Sequence, residues 1–135
     1  MDDNVPRANA EFAPFWEALE QGRLSFPWCD ACRRHHWYPL KRCPFCLAPV
    51  SRWRAVEGPG TLYTWTWVHH AFEPELREWV PYAVALVEFP DAPGIRLVTN
   101  LVGAEGQVLE VGMRVEPVFP GEPGAPPGKR VVFRV

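Results

Sequence analysis

The stretch CDACRRHHWYPLKRCPFC, residues 29–46, contains all four cysteines of this chain of 135 residues. They form two C-x2-C pairs, Cys29 with Cys32 and Cys43 with Cys46, separated by ten residues. Two such knuckles place four thiolates around one tetrahedral ion at about 2.3 Å, as in zinc ribbons and rubredoxin-like sites. Because four thiolates fill the coordination shell of zinc, the site is predicted to be structural and to leave no cysteine as a nucleophile.

Disulfides are the competing interpretation of these cysteines. The N-terminus, MDDNVPRANA, begins acidic and lacks the basic and apolar segments of a secretory signal. A reducing cytosol would keep the thiols free. Iron also suits four sulfur ligands, so the sequence leaves it open, although geometry and availability favour zinc.

The composition predicts a globular cytoplasmic protein. Hydrophobic residues make up 47% of the chain, which is enough to bury a core. No apolar run approaches the roughly 18 residues that a membrane-spanning helix needs. The net charge of -2 argues against a domain dedicated to nucleic acid. The 16 prolines and 10 glycines favour short strands joined by turns over a helical bundle.

Basic residues lie within and just after the knuckles, and no Asp or Glu occurs from residue 33 to residue 54. In one interpretation they offset the negative charge of an ion bound by four thiolates. In the other they hold the phosphates of a nucleotide-bearing ligand. The phosphate candidates are Arg33, Arg34, Lys41 and Arg42. Neighbouring aromatic side chains either stack on a base or form the small core of the ribbon.

A short helix is predicted before the ribbon, in APFWEALEQGRL. Pro14 suits the first helical turn, Phe15, Trp16 and Leu19 recur at helical spacing, and Gly22 provides a stop. This aromatic face packs either on its own domain or on a partner subunit, and we favour docking on a partner through Phe15, Trp16 and Leu19.

Strands with turn signals follow residue 54. The predicted strands cover residues 60–68, 81–89, 95–102, 107–119 and 129–135. In the first, Leu62, Thr64, Thr66 and Val68 are expected on one face, and Tyr63, Trp65 and Trp67 on the other. The fold class is therefore mainly β, and a five-stranded OB-type barrel is the natural closure. We divide the chain into an N-terminal helical segment (1–24), a zinc ribbon (25–54) and an OB-fold domain (55–135).

The sequence offers few signs of an independent active site. His69 and His70 follow a strand end, but no nucleophile motif and no glycine-rich phosphate loop accompanies them. An acyl-CoA hydratase or thioesterase using one of these histidines is therefore the weakest hypothesis. A single-stranded nucleic-acid module is a second alternative, because OB barrels and zinc ribbons both bind such strands.

The order of several motifs resembles a known family. PFWEAL, GRL, the C-x2-C and CPFC pairs, GTLYTWTWVHH, PYAVALVEF, TNLVG and VGMRVEPVF follow one another from Pro14 to the end. Together they resemble the acyl-CoA-associated OB-fold proteins with a rubredoxin-like zinc ribbon, once catalogued as domain of unknown function 35. Arg33 occupies a position at which such knuckles frequently have glycine, and the sequence departs from the family pattern there.

The resemblance implies a non-catalytic accessory subunit of a thiolase-like enzyme, such as a thiolase, an acyl-CoA synthase or a retro-aldolase. Related domains also occur with hydratases of steroid side-chain breakdown. In that family the ribbon and barrel support the path of a CoA thioester shared with the partner, which carries the chemistry. We therefore expect the basic candidates, Tyr63 and Trp65 to contact the ligand. For the two aromatic residues, packing in the core is the other interpretation.

Overall fold

The structure is a computed structural model that describes residues 10–135, so the first nine residues of the predicted N-terminal segment lie outside it. A short 3-10 helix at Ala10–Phe12 leads into helix α1 at Ala13–Glu20. The strands are β1 (Leu24–Cys29), β2 (Arg34–His35), β3 (Arg52–Val56), β4 (Gly60–Val68), β5 (Tyr82–Glu88), β6 (Arg96–Val102), β7 (Arg114–Val118) and β8 (Val132–Arg134). A second 3-10 helix covers Pro74–Leu76. No helix within residues 10–135 is long and apolar enough to cross a bilayer.

Helix α1 packs on its own chain. Proline lies in its first turn, and Gly22 ends it with a φ of 72° that glycine adopts without strain. Phe15 and Leu19 are buried, with exposed fractions of 5% and 0%, whereas Trp16 is half-buried. The prediction that the three side chains form a free docking face is therefore corrected for Phe15 and Leu19, because the core of this chain occupies them.

The ribbon is a three-stranded antiparallel sheet in the order β2-β1-β3. β1 and β3 pair from Leu24 opposite Val56 to Trp28 opposite Arg52. β3 thus runs through the predicted boundary at residues 54 and 55, so the division of the chain there stays a prediction. Between β2 and β3 the chain has little regular structure beyond an isolated bridge between Arg42 and Pro49.

The five remaining strands close a barrel in the order β4-β5-β6-β8-β7, with β7 returning to β4. All neighbours are antiparallel except β6 and β8. This mainly β architecture with a five-stranded barrel confirms the predicted fold class. Strands β5 and β6 alternate strictly, and their inward positions are Ala83, Ala85, Val87, Leu97, Thr99 and Leu101.

Aromatic side chains join the ribbon to the barrel. Phe26 of β1 is fully buried and lies 5.1 Å from Trp37 and 5.5 Å from Phe89, measured between ring centroids. Phe15 reaches Phe26 from α1 at 6.0 Å, and Phe89 reaches the barrel residue Phe133 at the same distance. We call these five residues the aromatic seam. It makes the helix, ribbon and barrel parts of one core.

The side chains of β4 point to different sides of the strand from those predicted. A register shift between Leu62 and Thr64 leaves Tyr63 as an extra residue, a β-bulge. Beyond the bulge the alternation is inverted, so Trp65 and Trp67 pack against the same core as Leu62, and Thr64 and Thr66 are exposed. The predicted two faces are therefore wrong from Thr64 onward, because one added residue exchanges the two sides of a strand.

Two predicted strands are shorter in the structure. Residues 107–113 contain no strand. Val111 and Gly112 form a turn, in which the N–H of Met113 donates to the carbonyl of Glu110 and Gly112 has a φ of 88°. Only Arg114–Val118 of the predicted strand 107–119 is extended. The last strand is reduced to Val132–Arg134, after a loop rich in proline and glycine.

Candidate metal centre and anion site

The two cysteine knuckles have the same backbone geometry. In the first, the N–H of Arg33 donates to the carbonyl of Cys29 at 2.7 Å, and Arg33 has a φ of 57°. In the second, the N–H of Leu47 donates to the carbonyl of Cys43 at 2.9 Å, and Leu47 has a φ of 66°. This left-handed conformation favours glycine, which explains why Arg33 and Leu47 are unusual residues there.

The four cysteine sulfur atoms lie together at the end of the ribbon. All four Sγ atoms are within 4.8 Å of one another. Two pairs, Cys29 with Cys46 and Cys32 with Cys43, are 3.6 Å apart. A tetrahedron with ~2.3 Å zinc–sulfur bonds has edges of about 3.8 Å, whereas a disulfide would bring two sulfurs to about 2.05 Å. All four cysteines are free, so the arrangement fits one structural zinc ion and not a pair of disulfides.

Cys32 and Cys43 differ in their tendency to ionise. Desolvation, followed by contacts with neighbouring thiols, raises the pKa of Cys32 to about 12. Desolvation opposes ionisation of Cys43 as well, but the backbone amides of Cys46 and Phe45 stabilise its thiolate and lower its pKa to about 7. The N–H of Phe45 lies 3.4 Å from the Cys43 sulfur. A divalent cation among the four sulfurs favours deprotonation of all of them.

A basic pocket lies where the ribbon meets the loop between β5 and β6. It has a volume of about 410 Å³. Three guanidinium groups line it, from Arg33, Arg34 and Arg54, together with a single carboxylate, Asp91. Trp28 and His35 are part of the same wall, and their rings meet edge to face at 4.8 Å. The arrangement has the charge to receive a polyanion and an aromatic surface beside it.

The structure separates the predicted phosphate candidates into two groups. Arg33 and Arg34 line the basic pocket, but Lys41 and Arg42 do not. Arg42 instead donates from Nη1 to the carbonyl of Leu47 at 3.0 Å and so supports the second knuckle. Arg54, one of the basic residues just after the knuckles but not a predicted phosphate candidate, joins the pocket from β3 and stacks over Trp28 at 4.2 Å.

Tyr63 and Trp65 lie apart from this pocket. Tyr63 is exposed at the bulge, with the guanidinium of Arg96 4.0 Å above its ring. Trp65 is half-buried against the barrel core. Their predicted ligand contacts stay a prediction. His69 and His70 are exposed, and within residues 10–135 neither side chain makes a hydrogen bond.

Two family profiles match the chain. The profile described as "ChsH2, rubredoxin-like zinc ribbon domain" matches residues 16–50, and the one described as "ChsH2, C-terminal OB-fold domain" matches residues 53–120. Together they reproduce the order of ribbon and barrel that the structure shows.

Solved structures and a curated protein are also similar. The chain is 34% identical to a chain of the "Ltp2-ChsH2(DUF35) aldolase", covering 96% of this chain and 97% of that one, with a TM-score of 0.76. A DUF35-family protein of unknown function from Sulfolobus solfataricus, 16% identical, gives a TM-score of 0.67 over 94% of this chain and 86% of that one, and so supports the fold alone. The "Probable enoyl-CoA hydratase alpha subunit" of Thermomonospora curvata is 39% identical over 112 residues, which are 82% of this chain. This chain spans 33% of that relative's length.

Proposed function

Because this chain belongs to the ChsH2 family of DUF35 proteins, we propose that it is a zinc-stabilised accessory subunit that docks on a thiolase-fold enzyme and holds part of its CoA thioester. The basic pocket is the observation that carries this proposal. The partner supplies the catalytic residues, and this chain supplies an anion site and a shaped surface.

The chemistry of CoA matches the basic pocket. CoA carries phosphate groups and an adenine ring, and guanidinium groups bind phosphate oxygens with charge-assisted hydrogen bonds. Arg33, Arg34 and Arg54 surround the pocket with three positive charges against the one carboxylate of Asp91. None of the three arginines forms an ion pair with a carboxylate of residues 10–135, so their charge is available to a ligand.

The ribbon also presents an apolar surface suited to a protein partner. Tyr38, Leu40, Phe45 and Leu47 have exposed fractions of 56%, 48%, 53% and 67%. Interfaces have an apolar core within a polar rim and are enriched in aromatic residues and arginine. The names of the relatives, an aldolase and a hydratase subunit, are consistent with an acyl-CoA enzyme as the partner.

Co-expression with the enzyme tests the docking part of the proposal. We expect a thiolase-fold aldolase to copurify with this chain, and its activity on acyl-CoA to fall when the chain is omitted or carries the substitution Leu47→Asp. Phe72→Asp is the matched control, since Phe72 is 86% exposed but lies outside the ribbon. Full activity and unchanged stability of the partner alone would contradict the proposal, as would acyl-CoA turnover by this chain alone.

Titration calorimetry tests the CoA part. In the assembled complex, the double variant Arg33→Gln/Arg34→Gln is expected to bind CoA at least about tenfold more weakly than the unaltered complex does. Its affinity for pantetheine, which lacks the nucleotide, should be unchanged. Arg52→Gln is the control, because Arg52 pairs with Asp30 at 3.6 Å outside the pocket. Equal affinity of the double variant and the unaltered complex for CoA would rule out this pocket.

A further inference from the structure

A second pocket lies at the opposite end of the barrel. It encloses about 390 Å³ among the start of β5, the end of β6, the connection before β5 and the loop before β8. The basic pocket borders the loop that joins the other ends of the same two strands. Tyr82–Glu88 of β5 alone spans about 20 Å at ~3.4 Å per residue, so the two pockets are separate.

The lining of this distal pocket is largely apolar. Leu76 and Trp79 come from the connection before β5, Trp67 from the end of β4, and Leu101 from β6. A cavity of this size and character is typical of a small-molecule site. The apolar lining favours a ligand whose body is a hydrocarbon chain or ring.

Arg130 introduces one positive charge into this apolar environment. Its guanidinium lines the pocket, and no carboxylate of residues 10–135 lies within ion-pair distance of it. Its Nε is buried without a hydrogen-bond partner. Burial lowers the pKa of Arg130, because the charged guanidinium loses hydration away from water. An arginine nevertheless stays charged, so the pocket contains an uncompensated cation.

Asn100 holds Arg130 in place. The side-chain amide of Asn100 donates to the carbonyl of Ala83 at 3.0 Å, and its oxygen accepts a hydrogen bond from Nη1 of Arg130. Both polar ends of Asn100 are thus engaged. Within residues 10–135, Nη2 of Arg130 makes no hydrogen bond, so this donor is available to a ligand. Glu105 also borders the pocket, but its side chain is exposed and makes no ion pair with Arg130.

We propose that the distal pocket binds a small carboxylic acid, with the carboxylate paired to Arg130 and the apolar body between Trp67 and Trp79. A single cation in an apolar cavity matches a monoanion with a hydrocarbon body, whereas a phosphate group is better served by several cations and amide donors. This site goes beyond the proposed docking and CoA functions and does not depend on either.

Calorimetry on the zinc-loaded full chain tests the proposal with hexanoate and benzoate, compared with the neutral hexanamide and benzamide. We expect saturable binding of the acids at least about tenfold tighter than of the amides. Arg130→Gln should abolish this preference. Lys129→Gln is the matched control, because it removes a neighbouring exposed cation whose partner is Glu20 at 3.4 Å. Glu105→Gln should strengthen binding of the acids by removing a nearby negative charge.

NMR locates the bound acid through the indole N–H signals. Hexanoate is expected to shift the signals of Trp67 and Trp79 and to leave that of Trp28, in the basic pocket, unchanged. Equal binding of acids and amides would overturn the proposal, as would an unchanged preference in folded Arg130→Gln. Shifts confined to Trp28, or no saturable binding at about 10 mM probe, would also overturn it. The comparison of acids with amides on the unaltered chain keeps the test decisive if Arg130→Gln does not fold.

Discussion

The ribbon and the barrel are ordered by different forces. Between β2 and β3 the ribbon has almost no regular structure, and it exposes four large apolar side chains. Its shape depends on four sulfur atoms and the aromatic seam. The barrel closes on itself through a complete ring of strand pairs around inward-facing aliphatic residues. We therefore expect metal binding to control the order of the ribbon, and burial of apolar surface to control that of the barrel.

Loss of a cysteine ligand is expected to have the largest effect. Cys43→Ser should release the zinc and unfold the ribbon, because structural zinc contributes about 10–16 kcal/mol to the folding of small domains. Metal analysis and the indole signals of Trp28 and Trp53 would follow this loss. The signal of Trp65 should show the barrel unfolding at a lower urea concentration, because the barrel loses its seam contact with Phe26. Ala31→Ser is the control, a new hydroxyl at an exposed position of the first knuckle. Retention of one equivalent of zinc by Cys43→Ser would refute the metal assignment.

Substitution in the aromatic seam is expected to destabilise both regions. Phe26 is fully buried and contacts Phe15, Trp37 and Phe89, so Phe26→Ala should lower the free energy of unfolding by about 3–5 kcal/mol. Urea unfolding of the zinc-loaded protein measures this change. Phe72→Ala, at a side chain that is 86% exposed, should change stability by no more than about 0.5 kcal/mol. Equal stability of the two variants would show that the ribbon and barrel do not share a core.

A methyl group at Gly60 is expected to affect the barrel and spare the metal. A Cβ at this position would collide with Cγ1 of Val87, on the neighbouring strand β5. Overpacking of this kind costs about 1–3 kcal/mol, so Gly60→Ala should lower the urea midpoint of the barrel signals while zinc content is unchanged. Loss of zinc from Gly60→Ala at neutral pH would contradict a metal centre that stays intact when the barrel is overpacked.

The smallest predicted effect concerns pH. Burial, and then the proximity of His35, lowers the pKa of His36, and neither ring nitrogen of His36 has a hydrogen-bond partner. His36 therefore takes up a proton more readily in the unfolded chain than in the folded one. The stability of the folded protein consequently decreases as pH falls below about 6.5.

Thermal unfolding between pH 7 and pH 5 measures this effect. His36→Phe should show a flatter dependence on pH than the unaltered protein, which loses stability toward acid. His69→Gln is the control, because this histidine is exposed. A pH dependence that is identical in His36→Phe and the unaltered protein would exclude His36 as its source.

The sequence predicted the local features of the molecule well. The spacing of Cys29, Cys32, Cys43 and Cys46 specifies the metal centre because each knuckle is made by four consecutive residues. The strands predicted at residues 81–89 and 95–102 are found at Tyr82–Glu88 and Arg96–Val102. The bulge at Tyr63 was missed, since an added residue is defined by pairing with a distant strand.

Long-range contacts account for the other differences. Phe15 and Leu19 have the pattern of an apolar helix face. That pattern cannot distinguish packing in the core of this chain, where Phe15 contacts Phe26 and Trp37, from packing on another subunit. Arg54 joined Arg33 and Arg34 only because β3 pairs with β1. Arg130 meets Asn100 across 30 residues of sequence, so no local pattern could have revealed the distal pocket.

Strand β8 has a consequence for the order of events during synthesis. It comprises three residues, Val132–Arg134, and both β6 and β7 depend on it for a neighbour. The strand pairs of the ribbon need no residue beyond Val56. We therefore expect the ribbon to form and bind its ion earlier in synthesis than the barrel, which cannot close before β8 is available.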